Sequence, residues 1–332
     1  MVDLSTQYLG FKLRNPLVVA ASPLCKDITN LRHMEDCGAS AIVLHSLFEE
    51  QLNLEANELD RFLWDNEDVG AEATSIFPDL GNYNIGPGAY LEHIRRAKET
   101  VSIPVIASLN GVSRGGWISY AREMQQAGAD AIELNVYFIP AEANASAAGI
   151  EQLYLDLVTE VRKTVTIPVA VKVGPYFSAF ANMAQRLEQA GANGIVIFNR
   201  FYQPDFDLEE LVVKPSVTLS DSHELLLRLH WAAMLHGHLK ADVAITGGVH
   251  STEDVVKSMM AGAKATMLAS ALLKNGIGYL RSLRNQLEAW LEHREYESIQ
   301  QMQGSMSQQN VPNPKAFQRS NYMRVLSSYA LK

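Results

Sequence analysis

Residues 127–134 read AGADAIEL, and three other stretches follow the same plan: CGASAIVL at 37–44, AGANGIVI at 190–197 and AGAKATML at 261–268. In each, a helical pattern ends in a glycine, the residue that takes the left-handed conformation at a helix C-terminus without steric cost. A short branched-aliphatic run follows at once, so the repeated unit is a helix feeding a buried strand. A second junction recurs as SIPVIAS from Ser102, TIPVAVK from Thr166 and, more loosely, ADVAITGG from Ala241. The first two put proline at a strand entry, where no ladder hydrogen bond is lost. With LVVAA from Leu17, the expected strands are 17–21, 41–45, 104–108, 131–135, 168–173, 194–198, 242–246 and 265–269. They are continuously apolar rather than alternating, as parallel strands buried on both faces are. Eight such strands separated by helices predict an α/β fold, a single (β/α)8 TIM barrel rather than an open sheet.

The composition agrees. The chain has 332 residues, 47% hydrophobic and 20% charged, which suits one large folded domain and excludes a disordered or fibrous chain. A formal charge of −9 and a pI near 5.5 leave no basic footprint for nucleic acid or an anionic membrane surface. Two cysteines, Cys25 and Cys37, are too few for an iron–sulfur cluster and suit a reduced compartment. The start, MVDLSTQYLG, lacks a signal-peptide pattern, and no apolar run is long enough to span a bilayer, so a cytoplasmic protein is expected.

Spacing locates the functional end. The segments after the second strand (46–103) and the sixth (199–241) are long insertions leaving strand C-termini, the face on which barrel enzymes build their sites. Residues 1–306 are expected to form the barrel. Residues 307–332 are a polar linker and an amphipathic tail that docks on the barrel or on a second copy in a homodimer.

Residues closing the strands converge on one cavity in such a barrel. Gly247 and Gly248 end the seventh strand, and Ala269-Ser270 opens a helix after the eighth; backbone amides there form the phosphate site that barrels often carry. Lys172 closes the fifth strand within VAVKVGPYF, and a buried lysine has a partner or a task. Three tasks compete: Schiff-base nucleophile, counter-ion to a substrate anion, or stabiliser of negative charge on a reduced flavin. Asn135 and Asn199 end the fourth and sixth strands with amides suited to the edge of a planar heterocycle.

These residues resemble the dihydroorotate dehydrogenase family, flavin enzymes built on an FMN-binding barrel, over about Leu9 to Met306. NPLVVAASPL is similar to the family's first-strand segment, ELNV at 133–136 to the opening of its fourth-strand motif, VKVGPYF to its lysine segment, and ITGGV with the later GA and AS to its phosphate site. REYESIQQMQG matches its C-terminal helix. The resemblance implies FMN, with Ala21, Ser22 and Ser46 against the flavin, Lys172 by its N1/C2 carbonyl edge, and Gly247, Gly248, Ala269 and Ser270 at the phosphate. Asn135 and Asn199 would contact the substrate ring, Asn135 also contacting the flavin.

Departures fall on the substrate side. The family carries Asn-x-Ser-Cys/Ser-Pro-Asn after its fourth strand, with the Cys or Ser as base, whereas this chain reads Asn135-Val136-Tyr137-Phe138-Ile139-Pro140. Tyr137 is the nearest substitute, although phenols ordinarily ionise well above neutral pH; Ser146 is the next. Where relatives place a substrate-binding lysine after the second strand, His45 stands, a titrating imidazole at best. Arg200 could replace that lysine through its bidentate fork, or lie in a surface ion pair. The family's Asn-x-x-Gly motif becomes Tyr83-Asn84-Ile85-Gly86, with Asn82 or Asn84 as substitutes. The expected activity is hydride transfer from a CH–CH group of dihydroorotate or a related cyclic acid to flavin N5, with a soluble electron acceptor, in pyrimidine biosynthesis. A non-catalytic flavin-binding relative and a Schiff-base aldolase or lyase using Lys172 are the alternatives.

Overall fold

The computed structural model describes residues 2–52, 87–113, 115, 118–201, 203–214 and 217–328. The chain opens with a hairpin, β1 (Thr6–Tyr8) and β2 (Phe11–Leu13), that the strand spacing did not announce. Its two-residue turn, Leu9-Gly10, has φ of +52° and +82°, the tight-turn geometry that matches strand twist. The Leu9 N–H donates to Asp242 Oδ2 at 2.7 Å, and Tyr8, Leu9 and Leu13 pack into the barrel interior.

The barrel strands follow: β3 (Leu17–Val19), β4 (Ala41–Phe48), β5 (Val105–Asn110), β6 (Ala131–Asn135), β7 (Val169–Val173) and β8 (Gly194–Ile197). An exposed antiparallel hairpin, β9 (Asp205–Asp207) and β10 (Val212–Lys214), fills part of the second insertion. Then β11 (Asp242–Thr246) and β12 (Ala265–Leu268) complete eight parallel strands, and β12 closes onto β3. The helices are α1 (Ile28–Asp36), α2 (Pro87–Thr100), α3 (Ser119–Gln126), α4 (Ala147–Thr164), α5 (Phe180–Gln189), α6 (Leu225–Leu235), α7 (Thr252–Ala261), α8 (Ser270–Asn275) and α9 (Tyr279–His293). The repeated helix-to-strand junctions turn on Gly38, Gly128, Gly191 and Gly262, all with φ between +100° and +111°.

Why the strands are apolar on both faces is plain from the packing. Leu17, Val19, Ile42, Leu44, Val105 and Val169 face the helices. Val18, Ala41, Val43, Ile106, Ala131, Ala170 and Val196 face the interior, where the many alanines leave room for the hairpin plug.

One irregularity in β4 matters for the site. Val43 pairs with Ile106, but the next pairing is Ser46 with Ser108, three steps against two. This bulge inserts one residue and reverses the alternation beyond it. Ser46 therefore turns inward, its Oγ 2.8 Å from Ser108 Oγ, while His45 turns outward.

Past the barrel, α10 (Ile299–Met302) leads into a segment fastened to α6 and α7. The N–H groups of Gly304, Met306 and Gln308 donate to Met259, Met260 and Ala233 carbonyls, and Phe317 packs against the core. The tail thus lies on the barrel's own helices as far as Phe317, beyond which Tyr322, Met323, Val325 and Leu326 of α11 (Tyr322–Leu326) are exposed.

Candidate active site

The loops after β11 and β12 enclose a cavity of about 190 Å³. Of the residues expected there, Ala21, Lys172, Arg200, Gly247, Gly248, Ala269 and Ser270 line it together. Gly248 is glycine for a reason other than access to a ligand. At φ +81°, a Cβ would stand 2.4 Å from the backbone nitrogen of Leu225, so the close approach is to the start of α6.

Three residues that the sequence reading did not single out complete this end. Ser220, 6% exposed, accepts a hydrogen bond from the Gly248 N–H at 3.2 Å, and its own N–H donates to Ser270 Oγ at 3.2 Å. The Gly248 amide is thereby presented to an oxygen acceptor, the role a phosphate oxygen also fills. Arg228 is buried behind the loop and donates to the Thr246 carbonyl and the Glu224 carbonyl, both at 2.5 Å. Burial lowers its pKa from the ordinary guanidinium value, although Glu224 opposes this. An isolated arginine in a helical pattern, LLLRLHW, gave no signal of this role. Glu133 is the third: a carboxylate within AIELN, 1% exposed, its Oε1 3.6 Å from Lys172 Nζ. That distance makes an ion pair and not a hydrogen bond, and neither Glu133 oxygen has a hydrogen-bond partner. Burial pushes its carboxyl pKa up, and the Lys172 charge only partly offsets this. The run ELN carried the clue, since a charge inside a buried strand demands an explanation.

One step above, Asn199 Nδ2 donates to Asn135 Oδ1 at 2.7 Å, joining two strand ends. Asn199 also borders a second cavity of about 600 Å³, walled by Tyr137, Phe138, Ile139, Tyr154, Tyr176, Phe177 and Phe201. Tyr137 and Asn199 thus share the wall of a cavity that the glycine loops do not line. Ser146 instead caps α4, its Oγ accepting from the Gly149 N–H at 3.1 Å.

Other expected residues are placed differently. His45 is packed between β4 and α2, its ring edge-on to Tyr90 at 5.1 Å and to His93 at 5.2 Å. It is not brought into the cavity, because the β4 bulge turns it outward. Burial, aided by the charges of His93 and Lys26, lowers its pKa to about 4. Arg200 lines the cavity but is held by Glu224, with Nε to Oε2 at 3.1 Å and Nη2 to Oε1 at 2.9 Å, and also by the Thr218 carbonyl. Its fork is therefore engaged within the protein. Ser22 precedes the short helix Pro23–Lys26, its Oγ 3.8 Å from Cys25 Sγ. Asn82 and Asn84 lie outside the described residues. Among the described residues no group of three metal-ligating side chains occurs, and no helix is long and apolar enough to cross a membrane.

A parallel eight-stranded barrel with a glycine-loop cavity after its last two strands, and a lysine and two asparagines at the neighbouring strand ends, defines a (β/α)8 barrel protein whose polar strand ends gather at one end. The comparisons make this specific. Residues 3–291 match the family model described as dihydroorotate dehydrogenase, and the chain belongs to that family of flavin-dependent dehydrogenases. It is 27% identical, over 92% of its length and 99% of the other chain, to the dihydroorotate dehydrogenase B (NAD(+)) catalytic subunit of Thermoplasma acidophilum. The subunit of the same description from Methanosarcina acetivorans is 29% identical over 89% of this chain and 93% of its own. The NAD-dependent dihydropyrimidine dehydrogenase subunit PreA of Escherichia coli is 24% identical over 93% of this chain and 78% of its own.

Proposed function

We propose that this chain is an FMN-dependent oxidoreductase that removes hydride from a CH–CH group of a small cyclic substrate, dihydroorotate or a related cyclic acid. The observation that carries this reading is the convergence of Lys172 with Gly247, Gly248 and Ser270 on one cavity, beside the hydrogen-bonded pair Asn135 and Asn199. The donor set fits FMN: backbone amides and serine hydroxyls for a phosphate at one end, an ammonium for the electron-rich ring edge at the other.

Bound there, FMN supplies the hydride acceptor, its N5. Gly247, Gly248, Ala269, Ser270 and Ser220 hold the phosphate. Ala21 and the inward-turned Ser46 flank the ring, Ser22 being engaged with Cys25, and Lys172 places positive charge where reduction adds negative charge. Asn135 and Asn199 orient the substrate ring through their amides; with Asn199 donating to Asn135, one carbonyl and one amino group remain for it. Tyr137 stands in for the missing base, its phenolate oxygen taking the substrate proton, and with the family's Cys or Ser absent dihydroorotate is oxidised slowly compared with a member that has it. Electrons leave to a soluble acceptor, as the NAD-linked names of the relatives suggest, and the two free, buried cysteines suit the reducing cytoplasm. A Schiff-base activity draws no support from these relatives, whose names are those of dehydrogenases.

The test is the visible spectrum of the purified chain and the flavin released on denaturation. FMN in a near 1:1 ratio, bleached anaerobically by a cyclic acid, is the expected result. A colourless chain that cannot be reconstituted with FMN would overturn the reading, and bound FMN that no candidate reduces would favour a non-catalytic flavin carrier.

A further inference from the structure

The buried carboxylate under the cavity is more than a partner of convenience. Glu133 sits on β6 in register beside Ser108 of β5 and Ala170 of β7, one inward position below Asn135 and Lys172. Its surroundings are the apolar interior layer, with Ala131, Ala170 and Val196 among its members. The only charge within ion-pair reach of it is Lys172 Nζ, among the described residues. Beneath it the Tyr8 hydroxyl, fully buried and without a hydrogen-bond partner, gives it no donor; burial, with the charges of Glu133 and Asp242, raises the Tyr8 pKa and keeps that phenol neutral. A carboxylate so placed is costly to bury relative to an uncharged residue of the same shape. The fold itself needs none of that charge, since glutamine would fill the same space. The charge is therefore to be explained by what it does to Lys172.

We propose that Glu133 is a positioning residue and counter-charge that holds the Lys172 ammonium at the cavity floor and sets how much of its field reaches the ligand above. This deepens, and rests on, the FMN reading. With both groups charged, the floor is neutral towards an oxidised ring. At 3.6 Å, beyond hydrogen-bond reach, the Lys172 N–H groups are left for a second acceptor on the cavity side. Glu133 thus opposes the build-up of negative charge that Lys172 favours, and their balance tunes how readily the ring accepts electrons.

Removing the charges singly and together makes a ladder. The floor carries no net charge in the parent, +1 in Glu133→Gln, −1 in Lys172→Gln at a pH above the raised pKa of its now unpaired carboxyl, and none again in the double variant. Sulfite reads this ladder without turnover: its sulfur lone pair forms a bond to flavin N5, and the displaced electron pair rests as negative charge at N1 and the C2 oxygen. Measured on each FMN-loaded protein by loss of visible absorbance near pH 8, sulfite should bind Glu133→Gln at least about tenfold more tightly than the parent. Lys172→Gln should bind it at least about tenfold more weakly, with the double variant back near the parent. If Glu133→Gln fails to fold with its lysine unpaired, the comparison of Lys172→Gln with the double variant tests the same charge.

A merely structural Glu133 would leave the sulfite constant unmoved in both comparisons, and that result overturns the proposal while leaving FMN binding intact. A chain that takes up no FMN overturns the reading beneath it and this proposal with it.

Discussion

Replacing His45 by phenylalanine separates two accounts of that position. The ring lies edge-on to Tyr90 and His93, is 8% exposed, and has no hydrogen-bond partner at either nitrogen. Burial is the main reason its pKa falls from 6.5 to about 4 in the folded chain. Between those values the unfolded chain binds a proton that the folded chain refuses, so stability rises with pH across this window and is lost as pH falls through it. The full difference corresponds to about 3 kcal/mol, of which about 2 kcal/mol is lost by pH 5. His93, lowered in the same direction by burial, adds a slope of its own. Phenylalanine keeps the ring contacts and carries no proton. Urea unfolding of both proteins at about pH 7.5, 6 and 5 should show His45→Phe losing about 2 kcal/mol less than the parent on acidification. Parallel losses would refute the buried, neutral imidazole. So would a stable variant whose flavin spectrum no longer responds to orotate, because it would return His45 to the substrate.

Two further substitutions probe the site. Gly248→Ala must fit a side chain at φ +81° and 2.4 Å from Leu225 N, so it should cost at least about 1–2 kcal/mol by thermal unfolding and weaken FMN retention by displacing the loop; parent-like values for both would mean that the loop yields freely. Anaerobic reduction by dihydroorotate should be slow and should disappear in Tyr137→Phe. Rapid reduction untouched by that change would put the base elsewhere, and Ser146, already bonded to the Gly149 N–H, is poorly placed to take the part.

Much of the architecture is written locally. Glycine closing a helix and a branched-aliphatic run opening a strand are near-neighbour preferences, so the four repeated junctions, the three further strand entries and the run from Leu17 together determined strand number, direction and the barrel before any contact was known. The glycine pair at 247–248 and the lysine at 172 were legible for the same reason, since strand ends in a barrel share one mouth. The first barrel strand is shorter than its apolar run, ending at Val19, and the second runs on to Phe48, because ladder pairing and not composition sets where a strand stops. The two hairpins were missed because each is held by partners far along the chain or stands exposed, and their short runs carry no period of their own.

The site divides along the same line. Alternation along 41, 43 and 45 puts His45 inside the barrel, and only the pairing of Ser46 with Ser108 reveals the extra residue that turns it out and Ser46 in. Arg200 offers the same fork to a substrate or to a carboxylate, and Glu224, 24 positions on, takes it. Glu133, Ser220 and Arg228 gained their places from strands and loops distant in sequence. The sequence by itself determined the barrel, its ligand-bearing end and its family pattern, because these follow from local conformational preference and strand order. Which side chains face the ligand, and which charges are already spent on one another, was decided only by tertiary structure, because register and ion pairing depend on neighbours that folding alone brings together.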